Sequence, residues 1–175
     1  MKKNNTKQFL PYIKEYKTKI FDELKFNCKR AINFIDVYLL KRAKDNEAIT
    51  FYYKRKGDFY RYIAEYEEGN LKILTKDSAL KAYNQAIEIS SKLNVLNLIR
   101  LRLFLNYSIF LYIILDQRKN AIEIAKDQLD EINKKLRVIA EDDNKKKEVK
   151  EIYKLFKDNI NMWEKNENNL TINSI

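Results

Sequence analysis

The sequence predicts an all-α fold, an antiparallel bundle of about six helices in a single domain, and three observations carry that prediction. Two glycines and one proline in 175 residues leave a turn-rich sheet without its punctuation. Apolar residues make up 45% of the chain and charged residues 34%, the balance of helices with one face inside and one in water. Apolar positions recur every three or four residues along most of the chain, the helical period and not the alternation of a strand. A chain of this length buries a sizeable core without dividing in two.

The elements follow in order. Residues 1–11 are polar at the start and are expected to fray, and the helical domain runs from 12 to 164. "YIKEYKTKIFDELKFNCKRAINFIDVYLLKRA" keeps the helical period from Tyr12 to about Leu40. Asp45 and Asn46 interrupt it, and a second helix runs from about Glu47 to Glu67, with Gly69 in "EEGN" as its terminator. Asp77 or Ser78 caps a third helix over about 79–92. The fourth, about 97–115, is apolar nearly all round, as befits an element surrounded by others. A fifth covers about 119–139, with Ile122, Ala125, Leu129 and Ile132 on its stripe. After the charged "EDDNKKK" connection, a sixth spans about 146–164, and residues 165–175 form a disordered tail. Ala79, Tyr83 and Ala86 have the spacing of a tetratricopeptide helix, which suggests hairpin packing of that kind, although no 34-residue period runs through the chain.

Composition excludes several chemistries. Histidine is absent, so imidazole general-base catalysis, His-ligated zinc and Ser-His or Cys-His nucleophilic pairs are ruled out. Cys28 is the one cysteine and cannot form an intrachain disulfide. Both glycines are isolated, so no glycine-rich phosphate loop exists. No catalytic residue, metal site or cofactor is expected, and a binding protein is the favoured class. "MKKNNTKQFL" has no apolar core behind its charges, which points to a cytoplasmic location. The longest apolar run, residues 103–115, is shorter than a bilayer requires, so no transmembrane segment is expected. A net charge of +10 attracts anionic partners in general, but the lysines are dispersed and specific nucleic-acid binding is not expected.

The stretch "KRKGDFYRYIAEY", residues 54–66, concentrates charge and aromatic rings. On a helix, Lys54 and Arg61 lie seven positions apart, so both project from one face about 10 Å apart along the axis. Tyr62 is the next residue round. Asp58 stands at i+4 from Lys54 and three residues before Arg61, where it can hold both side chains extended. This is either a solvated surface network beside core aromatics or a pocket for one oxyanion.

A resemblance over roughly residues 14–164 decides between them. "FYYKRKGDFYRYIAEY" is similar to the signature helix of the 14-3-3 family of phosphopeptide-binding proteins, "LIRLRLFLNYSIFLYIIL" resembles that family's second signature, and "KDNINMWEKN" resembles its final helix. The three occur in family order. The resemblance implies a concave groove that binds an extended partner segment carrying phosphoserine or phosphothreonine, without catalysis. Arg61 and Tyr62 match the family's phosphate-contacting pair, and Lys54 matches a basic residue lining the groove. Asn106 and Asn159 match two amides that grip the partner's main chain. Leu105, Ile109, Ile152, Leu155 and Trp163 correspond to the apolar wall opposite the charges.

The chain also departs from the pattern. It opens where the family's fourth helix stands, so the three preceding helices are expected to be missing, and with them a Lys and an Arg of the phosphate pocket. Phosphate affinity should fall accordingly. The family-type homodimer, built from those helices, is not expected, and Ile20, Phe21, Leu24, Phe26 and Ile32 become an apolar face open to other self-association. Ile113 replaces an acidic groove residue. The favoured function is a phosphoserine/phosphothreonine-dependent adaptor with a weakened pocket. The alternative is a tetratricopeptide-like scaffold binding acidic, unphosphorylated partners.

Overall fold

Leu10 opens the first helix of the computed structural model, which describes residues 9–136 and 143–172. Helix α1 (Leu10–Phe34) passes through a π turn, Ile35–Leu39, into a short α2 (Leu40–Arg42), so the expected first helix is one rod with an inserted widening. Pro11 sits in its first turn, where a missing N–H costs nothing, and the helix therefore begins inside the segment expected to fray. Cys28, Ile32 and Ile35 form the buried edge of this rod, and Cys28 and Ile32 pack on Ile63 with Phe59, Tyr60 and Tyr62 alongside. The expected apolar face divides: Ile32 is buried, Phe21 and Leu24 are half-buried, and Ile20 and Phe26 are exposed.

Asp45 caps α3 (Asn46–Tyr66) by accepting the Ala48 N–H at 2.7 Å. The chain leaves α3 in extended backbone at Glu67. Gly69 (φ +59°) turns it directly into α4 (Gly69–Ser90), so the residue expected to terminate one helix is the first of the next. Helix α4 thus starts about ten residues before the expected position. Leu71, Ile73 and Leu74 are all exposed, so this first part carries no buried stripe for periodicity to detect. Ser78, expected as a cap, lies inside the helix and donates its hydroxyl back to the Leu74 carbonyl at 2.8 Å.

Asn97 caps α5 (Leu98–Ile113), its side-chain oxygen accepting from the N–H groups of Ile99 and Arg100 at 2.9 and 3.1 Å. The helix ends through Asp116 at φ 56°, with the Gln117 N–H returning to the Leu111 carbonyl at 2.9 Å. Helices α6 (Arg118–Leu136) and α7 (Asp143–Ile172) complete the rods. Helix α7 begins at Asp143, about three residues before the expected start at 146. Residues 165–172, read as tail, also belong to it, while 173–175 and the expected ends of the fifth helix at 137–139 lie outside the described residues. All the described secondary structure is helical.

Helix α5 is the central element and touches α3, α4, α6 and α7. Leu101, Leu105 and Leu111 enter a core shared with Ala121, Ala125 and Ile132 of α6 and Val149, Ile152, Phe156, Ile160 and Trp163 of α7. Leu103, Phe110 and Ile114 enter a second core with Ala64 of α3 and Ala79, Tyr83 and Ala86 of α4. An apolar surface nearly all round is what such a position demands. Because α5 contacts both α3 and α7, it brings the aromatic-basic segment of α3 and the asparagine of α7 to either side of itself.

Candidate functional site

Asp58 lies at the centre of the site and is completely buried. One of its oxygens, Oδ2, accepts from Lys54 Nζ at 2.7 Å, one helical turn back. The other, Oδ1, accepts from the Tyr83 hydroxyl of α4 and from Asn106 Nδ2 of α5, each at 2.8 Å. Arg55 Nη1 stands 3.8 Å from Oδ2 at the solvent edge. A buried carboxylate is tolerable when its charge is paired and its lone pairs are filled, and Asp58 meets both conditions.

Lys54 is therefore not a free cation. It is only 7% exposed and its ammonium is engaged by Asp58, whereas the sequence placed it among the phosphate-facing groups. The expectation that Asp58 would hold both Lys54 and Arg61 is met for Lys54 alone, since the ion pairs of Asp58 among the described residues are to Lys54 and Arg55.

Arg61 is half-buried, and no carboxylate among the described residues pairs with it. Its guanidinium carbon sits 4.5 Å from the centre of the Tyr62 ring, close enough for a cation-π contact. Its Nε is buried without an acceptor among the described residues. Burial pushes the Tyr83 phenol well above its usual range, and the Asp58 charge adds to the effect. The nearby Arg61 charge opposes both. Since Asp58 is already balanced by Lys54, the Arg61 charge has no carboxylate of its own among the described residues.

Gly57 lets α3 and α4 approach this closely. A Cβ at that position would stand 2.7 Å from Cδ1 of Tyr83. The Tyr83 ring is pinned through its hydroxyl and packed against Tyr107 and Phe110 at centroid distances of 5.7 and 5.2 Å, so it cannot retreat. Gly57→Ala would gain up to about 1 kcal/mol of helix propensity. Overpacking costs about 1–3 kcal/mol, and we expect a net loss of about 1 kcal/mol in denaturant unfolding.

The remaining residues divide by depth. Asn106 is half-buried on α5 and Asn159 half-buried on α7, between the buried Phe156 and Ile160 and the open edge of the helix. Leu105, Ile152 and Trp163, read as groove wall, are core residues exposed by 7%, 4% and 1%. Trp163 is stacked on Tyr112, centroids 4.6 Å apart and planes 11° from parallel. Ile109 is half-buried and Leu155 half exposed, so these two retain apolar surface. Ile113 and Met162, which the sequence did not place on the wall, are more than half exposed. They fall four residues beyond Ile109 and three beyond Asn159, spacings that keep them on the same helix faces. Sequence reasoning also missed Tyr83. Its hydroxyl reaches Asp58 from a different helix, and the signal available was a Gly-Asp pair amid large aromatic residues.

Among the described residues no helix is long and apolar enough to cross a membrane, and no cluster of His, Cys, Asp or Glu could hold a metal ion.

Comparison with known proteins identifies the family. The family model described as "14-3-3 protein" matches residues 1–164. The chain is 38% identical over 162 residues to the checkpoint signal transducer rad25 of Schizosaccharomyces pombe, covering 92% of this chain and 59% of that protein. It is 38% identical over 152 residues to 14-3-3-like protein B of Vicia faba, covering 86% and 58%. It is 38% identical over 161 residues to the 14-3-3 protein of Giardia intestinalis, covering 92% and 64%. The chain thus spans about three-fifths of the length of these curated relatives. With a family model matching nearly its whole length, the chain belongs to the 14-3-3 protein family.

Proposed function

We propose that the chain is a protein-binding adaptor that receives a phosphoserine- or phosphothreonine-bearing segment of a partner across α3, α5 and α7. Arg61 and Tyr62 take the phosphate, and Asn106 and Asn159 take the partner's main chain. Ile109 and Leu155, extended by Ile113 and Met162, supply the apolar side. The observation that carries this reading is the half-buried Arg61 guanidinium, which no carboxylate among the described residues pairs, beside an Asp58 already neutralised by Lys54. A guanidinium fork suits the dianionic phosphate, and such charge-assisted bonds are worth about 1.5–3 kcal/mol each. Lys54 serves the site from behind by cancelling the Asp58 charge, which would otherwise repel a phosphate. With one guanidinium and one phenol as its ligands, phosphate is held weakly. No reaction is assigned to the site.

The test is calorimetric titration of a serine phosphopeptide and its unphosphorylated twin. The reading predicts at least a tenfold preference for the phosphorylated form. Equal affinities would remove phosphate recognition and favour a scaffold for acidic peptides, which the net charge of +10 would attract.

A further inference from the structure

A carboxylate can only accept hydrogen bonds, so the Asn106 atom facing Asp58 Oδ1 at 2.8 Å must be its NH2 nitrogen. The chemistry of the pair fixes the orientation of that amide, which is otherwise assigned by choice. Asn106 Oδ1 is then turned away from Asp58, and a ligand approaching it meets an acceptor first. The same Asp58 oxygen accepts from the Tyr83 hydroxyl. Asp58 is fully buried and cannot itself touch a ligand. It nonetheless governs one side chain of the proposed site, Asn106, through a direct hydrogen bond.

We propose that Asp58 is the positioning residue of the peptide site: it locks Asn106 so that a carbonyl oxygen is offered to the partner, making the site selective for a main-chain N–H at that point. The inference rests on the functional reading above. An asparagine without this anchor turns over freely and offers an acceptor or a donor with equal ease. One held by Asp58 rejects a partner whose backbone nitrogen lacks its hydrogen, because a buried acceptor then stays unfilled.

The experiment is a set of phosphopeptides of one sequence, each N-methylated at a single backbone nitrogen, titrated into the wild-type protein, Asn106→Ala and Asp58→Asn. One methylation should lower wild-type affinity at least tenfold and lower that of Asn106→Ala less than threefold, which subtracts the steric effect of the methyl group. The decisive prediction concerns Asp58→Asn. Its penalty at that same nitrogen should also fall below threefold: the carbonyl of the introduced amide is drawn to the Lys54 ammonium, its NH2 faces Asn106, and the Asn106 amide reverses to accept from it, so the partner meets a donor. A penalty unchanged from wild type in Asp58→Asn would overturn the positioning role. So would a scan in which wild type and Asn106→Ala behave alike.

If neither the unmethylated phosphopeptide nor its unphosphorylated twin binds, the functional reading fails and the positioning role falls with it, an outcome distinct from a flat scan on a peptide that binds. Asp58→Asn leaves the Lys54 ammonium buried without its carboxylate. Should that variant not fold, the double variant Lys54→Met with Asp58→Leu removes both charges and every acceptor facing Asn106, which frees the amide and answers the same question.

Discussion

Asp58→Ala is expected to destabilise the fold by about 3–5 kcal/mol, the range seen when one partner of a buried ion pair is removed. The replacement leaves the Lys54 ammonium, only 7% exposed, without its counter-ion. It also strips the acceptor from the Tyr83 hydroxyl and from the Asn106 amide. A double variant with Lys54→Met should recover most of the loss, because the isolated charge and not the missing carboxylate dominates it. Equilibrium urea unfolding measures both. A loss under about 1 kcal/mol for Asp58→Ala would show the cluster to be an ordinary surface network, where such pairs contribute about 0–1 kcal/mol.

Trp163→Ala is expected to cost a similar amount, about 3–5 kcal/mol, the usual range for emptying a large aromatic site in a core. The side chain is 1% exposed, stacked on Tyr112, and closes the buried series Val149, Ile152, Phe156 and Ile160 along α7. Leu155→Ala on the same helix, where the side chain is half exposed, should stay within about 0.5 kcal/mol in the same assay. The contrast separates the residues that build the fold from those that keep apolar surface for a ligand. A small loss at Trp163 would contradict its place in the core.

What could be read from the sequence depended on where burial left a periodic trace. Helices α3 and α5 were legible because Asp45 and Asn46 break the pattern ahead of α3 and long apolar repeats fill both helices. The first turns of α4 were not, since Leu71, Ile73 and Leu74 face water and Thr75 and Ser78 bond back within the helix. The π turn at Ile35–Leu39 keeps the helical appearance of its sequence and so left no mark.

The candidate site was legible one helix at a time. Spacing put Lys54 and Asp58 in contact, and the contact exists. Spacing could not say that Tyr83 and Asn106 arrive at the same carboxylate from α4 and α5, which sinks the pair into the interior and withdraws Lys54 from solvent. Nor could it divide the apolar wall, because Leu105, Ile152 and Trp163 have the same chemistry as Ile109 and Leu155 and differ only in depth.

The most direct test of the account is the affinity of Arg61→Ala for a serine phosphopeptide and for its unphosphorylated twin, beside circular dichroism to verify that helix content is kept. The account predicts at least a tenfold loss on the phosphopeptide and no change on the twin. Phosphopeptide affinity equal to wild type would contradict it.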